Sequence, residues 1–159
     1  MDDKLLQIYL QDHMAGAVAG VELARRARGS NRDTEYGDEL ADICSTIERH
    51  REILRDVAAA LEVSPSRVKE APAWVGEKLG RLKLNGRLVG YSPLSRLVEL
   101  EGLVIGLTGQ IELWRSLRES VGGDDRLAPF DLNDVAKRTE QLRDRVERLH
   151  QRAARDAFA

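Results

Sequence analysis

The chain holds three histidines, His13, His50 and His150. Two glutamates, Glu101 and Glu147, join them as residues whose types and spacing could do metal or proton chemistry. His50 stands inside the stripe Leu40, Ile43, Ile47, His50, Leu54, Val57, Leu61, which repeats at three and four residues and predicts a buried helix face. His13 takes a similar place between Tyr9 and Gly16. Glu101 is flanked by Leu97, Val98, Val104 and Ile105, and Glu147 precedes His150 by one helical turn, so those two share a face. A buried carboxylate without a partner is costly, so Glu101 is expected to meet a histidine, an arginine or a metal. Imidazole nitrogen and carboxylate oxygen from facing helices suit iron, manganese or zinc. The candidate ligands are His13, His50, Glu101, Glu147 and His150. The same residues support an opposing expectation, a hydrogen-bonded His/Glu network that fixes helix register and performs no catalysis.

The elements that must position these groups read as all-α. Helical segments are predicted over about 3–28, 34–61, 93–120 and from 131 onward. Ser92-Pro93 supplies a cap and a first-turn proline, and Asp131 a cap, with Phe130 and Val135 spaced as a hydrophobic staple. The first seam reads Leu6, Tyr9, His13, Gly16, Gly20, Ala24. The third reads Leu94, Leu97, Glu101, Val104, Thr108, Ile111, and the fourth Leu132, Val135, Thr139, Leu142, Val146, Leu149, Ala153. Together they predict one domain over 1–159, a four-helix bundle of two helical hairpins. The hairpins are joined by a long crossover, about 63–92, with short helices near 65–70 and 73–82. A first turn centred near residue 31 sets His13 level with His50, and a second near 125 sets Glu101 level with His150. Gly16, Gly20, Gly102, Gly106 and Gly109 read as sites of close helix packing, or as room for a small ligand beside the histidines.

Composition narrows the function classes. With 33% charged residues but a net charge of −2, the chain lacks the electrostatics for nonspecific nucleic-acid or acidic-membrane binding. Residues 58–71 imitate a helix-turn-helix, but the preceding helix is too long and Pro72 would cut the recognition helix short. The apolar run 102–111 is too short to span a bilayer. A single cysteine, Cys44, fits a reducing compartment and reads as a small core residue, so a cytoplasmic protein is expected. The non-catalytic alternative is a helical module that acts by self-association, as a homo-oligomer, or by binding a partner, and the sequence names no small-molecule substrate.

The polar pattern resembles the ferritin-like superfamily of four-helix bundles, in which the first and third helices each give a glutamate and the second and fourth each give Glu-x-x-His. Glu147-Arg-Leu-His150 matches the fourth-helix motif and Glu101 the third-helix glutamate. The second helix reads Ile47-Glu-Arg-His50, with isoleucine where glutamate is expected, and the first offers His13 beside Asp12. The resemblance implies a bundle with a metal site and, if the protein is an enzyme, metal-dependent oxidoreductase chemistry.

Overall fold

A computed structural model describes residues 3–64 and 91–159. Four long helices account for nearly all of them: α1 Asp3–Ser30, α2 Gly37–Ala60, α3 Pro93–Val121 and α4 Leu132–Phe158, with a 3₁₀ turn at Asp125–Leu127 between the last two. Helices of 24 to 29 residues make a bundle about 40 Å long at ~1.5 Å per residue. The expected crossover, with its short helices, falls largely on residues 65–90, outside the described residues.

The ends form for the local reasons anticipated. Ser92 is extended and its hydroxyl accepts from the Ser95 amide, with Pro93 in the first turn. Asp131 accepts from the amides of Asn133 and Asp134. Phe130 and Val135 pack in one apolar cluster, as a staple requires. α2 closes with a Schellman pattern: Val63 N–H donates to Ala58 O and Glu62 N–H to Ala59 O. Glu62 pays for that closure with a φ of 60°, a left-handed conformation that usually goes to glycine.

α1 packs against α2 and α3, and α4 against α3 and, less closely, α2. Each neighbouring pair is antiparallel. Arg26 reaches Glu99 and Leu23 lies against Gly102 at one end of the α1–α3 seam, while His13 and Gln110 line one groove further along. On the α2–α4 seam, Asp42 meets Arg145 and His50 meets Thr139. The end of α2 and the start of α3 therefore lie at opposite ends of the bundle.

The interior is two apolar clusters. One, at the end where the α1–α2 turn lies, holds Tyr36, Leu40, Ile43, Leu100, Leu103, Val146 and Leu149. The other holds Leu10, Leu54, Trp114, Leu117, Leu127 and Val135. His50 and Thr139, both buried, lie between them in sequence on α2 and α4, so the core has a polar waist. The stripes expected on α2 and α4 are buried at every position. Those expected on α1 and α3 are not. α1 buries Leu10, Val21, Ala24 and Ala27 and leaves Gly16 exposed, and α3 buries Leu97, Leu100, Leu103, Leu107 and Ile111 and exposes Glu101 and Thr108.

Candidate functional site

The α1–α2 turn spans residues 31–36, because α1 runs through Gly29 to Ser30 and α2 starts only at Gly37. Its centre lies more than two residues beyond the expected one, and each residue of offset moves level positions by two. His50 thus falls near the level of Ala17 rather than His13; Ala17, Gly20, Ile47 and Arg51 line one depression. The two histidines also face different seams. His13, half-buried, lies in a groove of about 260 Å³ between α1 and α3 with Gly16, Gly106, Gly109 and Gln110, and Tyr9 packs edge-on against its ring at 4.6 Å. His50, 4% exposed, opens toward α4.

The second hairpin keeps close to its expected register, as the Arg115–Glu140 ion pair at 2.6 Å and the Arg118–Asn133 hydrogen bond at 3.0 Å show. The facing is what fails. Glu101 points to solvent, Glu147 is exposed and His150 is half-buried. Among the described residues no three His, Cys, Asp or Glu side chains gather at a common point that could hold a metal ion. The five sequence-predicted ligands are thus dispersed over separate faces.

The buried carboxylate of α3 is Glu99, two residues before Glu101 and 0% exposed. It anchors a network at the pole where all four helices meet. Arg26 Nε lies 2.7 Å from Glu99 Oε1, and the Tyr91 hydroxyl donates to Oε2 at 2.7 Å. Asn31, fully buried, donates to Tyr91 Oη at 2.8 Å and to Ala27 O at 2.7 Å, and accepts from Arg96 Nε at 2.6 Å. The Arg96 guanidinium covers the Tyr36 ring at 4.1 Å, while the Tyr36 hydroxyl donates to Asp156 near the end of α4. Burial pushes the Glu99 carboxyl up, against the opposing pull of Tyr91 and Arg26. Burial, with the neighbouring Glu99 charge, pushes the Tyr91 hydroxyl up beyond its ordinary range. Tyr91, Asn31 and Glu99 Oε2 are hydrogen-bonded within the network, while Glu99 Oε1 meets Arg26 as an ion pair but has no hydrogen-bond partner among the described residues.

Sequence reasoning missed Glu99, Asn31 and Tyr91. The signal for Glu99 was the leucine spacing 97, 100, 103, 107, which sets a phase different from that of the valine and threonine positions. At the waist, the Thr139 hydroxyl donates to Val135 O at 2.8 Å and lies 3.4 Å from His50 Nδ1. Its hydrogen being spent, the contact has Nδ1–H pointing at Thr139 Oγ1 and leaves His50 Nε2 as the acceptor nitrogen. Burial first, then the charges of Arg49 and Arg138, lower the His50 pKa; burial lowers that of His13, against the pull of Asp12. Cys44 is buried and its thiol is pushed up by desolvation, which removes it as a nucleophile. No helix among the described residues is long and apolar enough to cross a membrane. No family model, curated protein or solved structure matches this chain.

Proposed function

We propose that the protein is a non-catalytic helical module that acts by self-association, its buried polar groups serving to fix the bundle. The observation that carries this reading is the outer surface of the α1–α3 seam. Gly16, Gly20, Gly106 and Gly109 are helical positions where an added Cβ would meet no atom of the described residues within 4 Å. Each costs roughly 0.8–1 kcal/mol of helix stability relative to alanine, and packing among the described residues does not need them. Gly102, on the same seam, does serve packing among the described residues, with the Leu23 side chain 3.0 Å from where its Cβ would sit. Beside the groove stands Ile105, 66% exposed, one residue from Gly106. A protruding isoleucine next to a glycine-floored depression on one face is self-complementary: in a two-fold pair, Ile105 of each copy can enter the groove of the other.

The rest of the expected architecture belongs to the same proposal: a crossover returning the chain from the end of α2 to the start of α3, as in a ferritin-like bundle. The network around Glu99 holds the four helices in the alignment that creates the α1–α3 face. Light scattering coupled to size exclusion tests the reading. The parent chain is expected to run as a dimer, and Ile105→Lys and Gly106→Leu as folded monomers. A parent chain that stays monomeric at every concentration would refute it.

A further inference from the structure

We infer that the groove between α2 and α4 is a binding site for a phosphomonoester of a small organic molecule. Thr46, Arg49, His50 and Ile53 line it from α2, and Arg138, Gln141, Leu142 and Arg145 from α4. Both sets repeat at three and four residues, so each helix turns one continuous face to the groove. α2 and α4 approach each other less closely than the other neighbouring helices do, and the space left between them is about 280 Å³. That is larger than a bare phosphate needs and close to the lower range of small-molecule pockets.

Three guanidiniums and no carboxylate line this depression, on a chain whose net charge is −2. Arg145 pairs with Asp42 at 2.9 Å and Arg138 with Asp134 at 2.7 Å. Arg49 instead donates to the neutral hydroxyls of Ser45 and Thr46, at 3.2 and 2.9 Å, and has no carboxylate partner among the described residues. The local balance is three positive charges against two negative, with Arg49 the uncompensated one. An oxyanion placed here gains charge-assisted bonds from a planar donor fork, the geometry guanidinium matches best.

His50 forms the floor. Its Nδ1–H is directed at Thr139, so Nε2 is the nitrogen left to the groove, a proton acceptor at neutral pH and a donor once protonated. Arg49, Arg138 and Arg145 line the groove around it, with Asp42 and Asp134 paired to Arg145 and Arg138; burial first, then the charges of Arg49 and Arg138, lower the pKa of the unliganded imidazole. A phosphate dianion reverses that balance, so binding should draw a proton onto Nε2. Ile53 and Leu142 supply apolar wall for the organic part.

Titration with phenyl phosphate and, separately, inorganic phosphate, followed by imidazole NMR of His50 and by calorimetry, tests the inference. Phenyl phosphate is expected to bind more tightly than inorganic phosphate and to raise the His50 pKa. Arg49→Gln and Arg138→Gln should each weaken binding by about tenfold or more, the loss of one charge-assisted contact. Arg51→Gln, on the α1–α3 side, should leave it unchanged. Circular dichroism of each variant separates lost binding from lost fold, and Arg49→Lys should recover part of the affinity. Equal affinity for both ligands would overturn the organic half of the inference. No binding, or binding that ignores Arg49, Arg138 and the His50 resonance, would overturn it altogether.

Discussion

Glu99→Ala and Glu101→Ala are the most discriminating pair of substitutions, because they lie two residues apart on α3 with opposite surroundings. Glu99 is fully buried, with Arg26 at 2.7 Å and the Tyr91 hydroxyl at 2.7 Å. Removing one member of a buried ion pair costs roughly 3–5 kcal/mol when the other is stranded. Arg26 is 29% exposed and can turn toward water, which reduces its share of that cost. Tyr91 loses its acceptor, at about 1 kcal/mol. The expected total is about 2–3 kcal/mol, or a fall in Tm of roughly 5–10 °C for a domain of this size. Glu101 points to solvent, and its replacement should stay within about 0.5 kcal/mol. Glu99→Gln keeps an acceptor for Tyr91 and should cost less than Glu99→Ala. It should also remove a pH term. Because burial raises the folded-state pKa of Glu99, the folded chain holds that proton more tightly than the unfolded one. Stability from this group is therefore lost as pH rises from the ordinary glutamate value through the folded one. Urea unfolding followed by circular dichroism measures all three. A Glu101→Ala variant that loses as much as Glu99→Ala would refute the facing of α3 described here.

Other expectations are as direct. His50 has a lowered folded-state pKa, so its contribution is complete above the ordinary histidine value of 6.5 and is lost as pH falls through the folded one; His50→Leu should flatten the urea midpoint between neutral and mildly acidic pH. Glu62→Gly should stabilise the chain by roughly 0.5–1 kcal/mol, by relieving a left-handed residue at the close of α2. Gly37→Ala should destabilise, since its Cβ would collide with the Arg32 carbonyl, whereas Gly109→Ala meets open space and should stabilise the monomer by up to about 1 kcal/mol. Elemental analysis of untagged protein should find no stoichiometric iron, manganese or zinc, and His50→Ala should not change the result; a bound metal lost in that variant would restore the metal reading.

The four-helix, all-α architecture was legible, and so were two of its caps. The seams of α2 and α4 were legible to the residue because their outward faces are charged. Glu52, Arg55 and Asp56 on α2, and Lys137, Glu147 and Arg148 on α4, leave the apolar stripe no ambiguity of phase. α1 and α3 carry glycine, alanine, valine and isoleucine on several sides, Ile105 and Val18 among the exposed ones. Periodicity cannot then decide which apolar side is the core, and Glu101 rather than Glu99 looked buried. The level of His13 and His50 failed for a different reason. α1 runs two residues past the expected 28 to Ser30, and Asn31 closes the turn through side-chain bonds to Ala27, Tyr91 and Arg96, the last two of which span 60 residues or more and leave no local trace. The candidate site on the α2–α4 seam was visible only through His50; Arg49, Arg138 and Arg145 form no motif in the sequence, and only the spacing of the helices sets them around one hollow.

The two poles of the bundle are locked by different kinds of force. Around Asn31 and Glu99 the bonds are directional, so a helix that slid by one turn would strand a carboxylate and an amide in the interior. Around Leu54, Trp114 and Leu127 the contacts are apolar and the Trp114 indole N–H has no hydrogen-bond partner among the described residues, so a slipped helix could refill the space with another leucine and break no directional bond there. Alignment is thus keyed at one end and merely cushioned at the other. Evolution or engineering has latitude to reshape the cushioned end in size and composition, while the keyed end must change several partners at once or none.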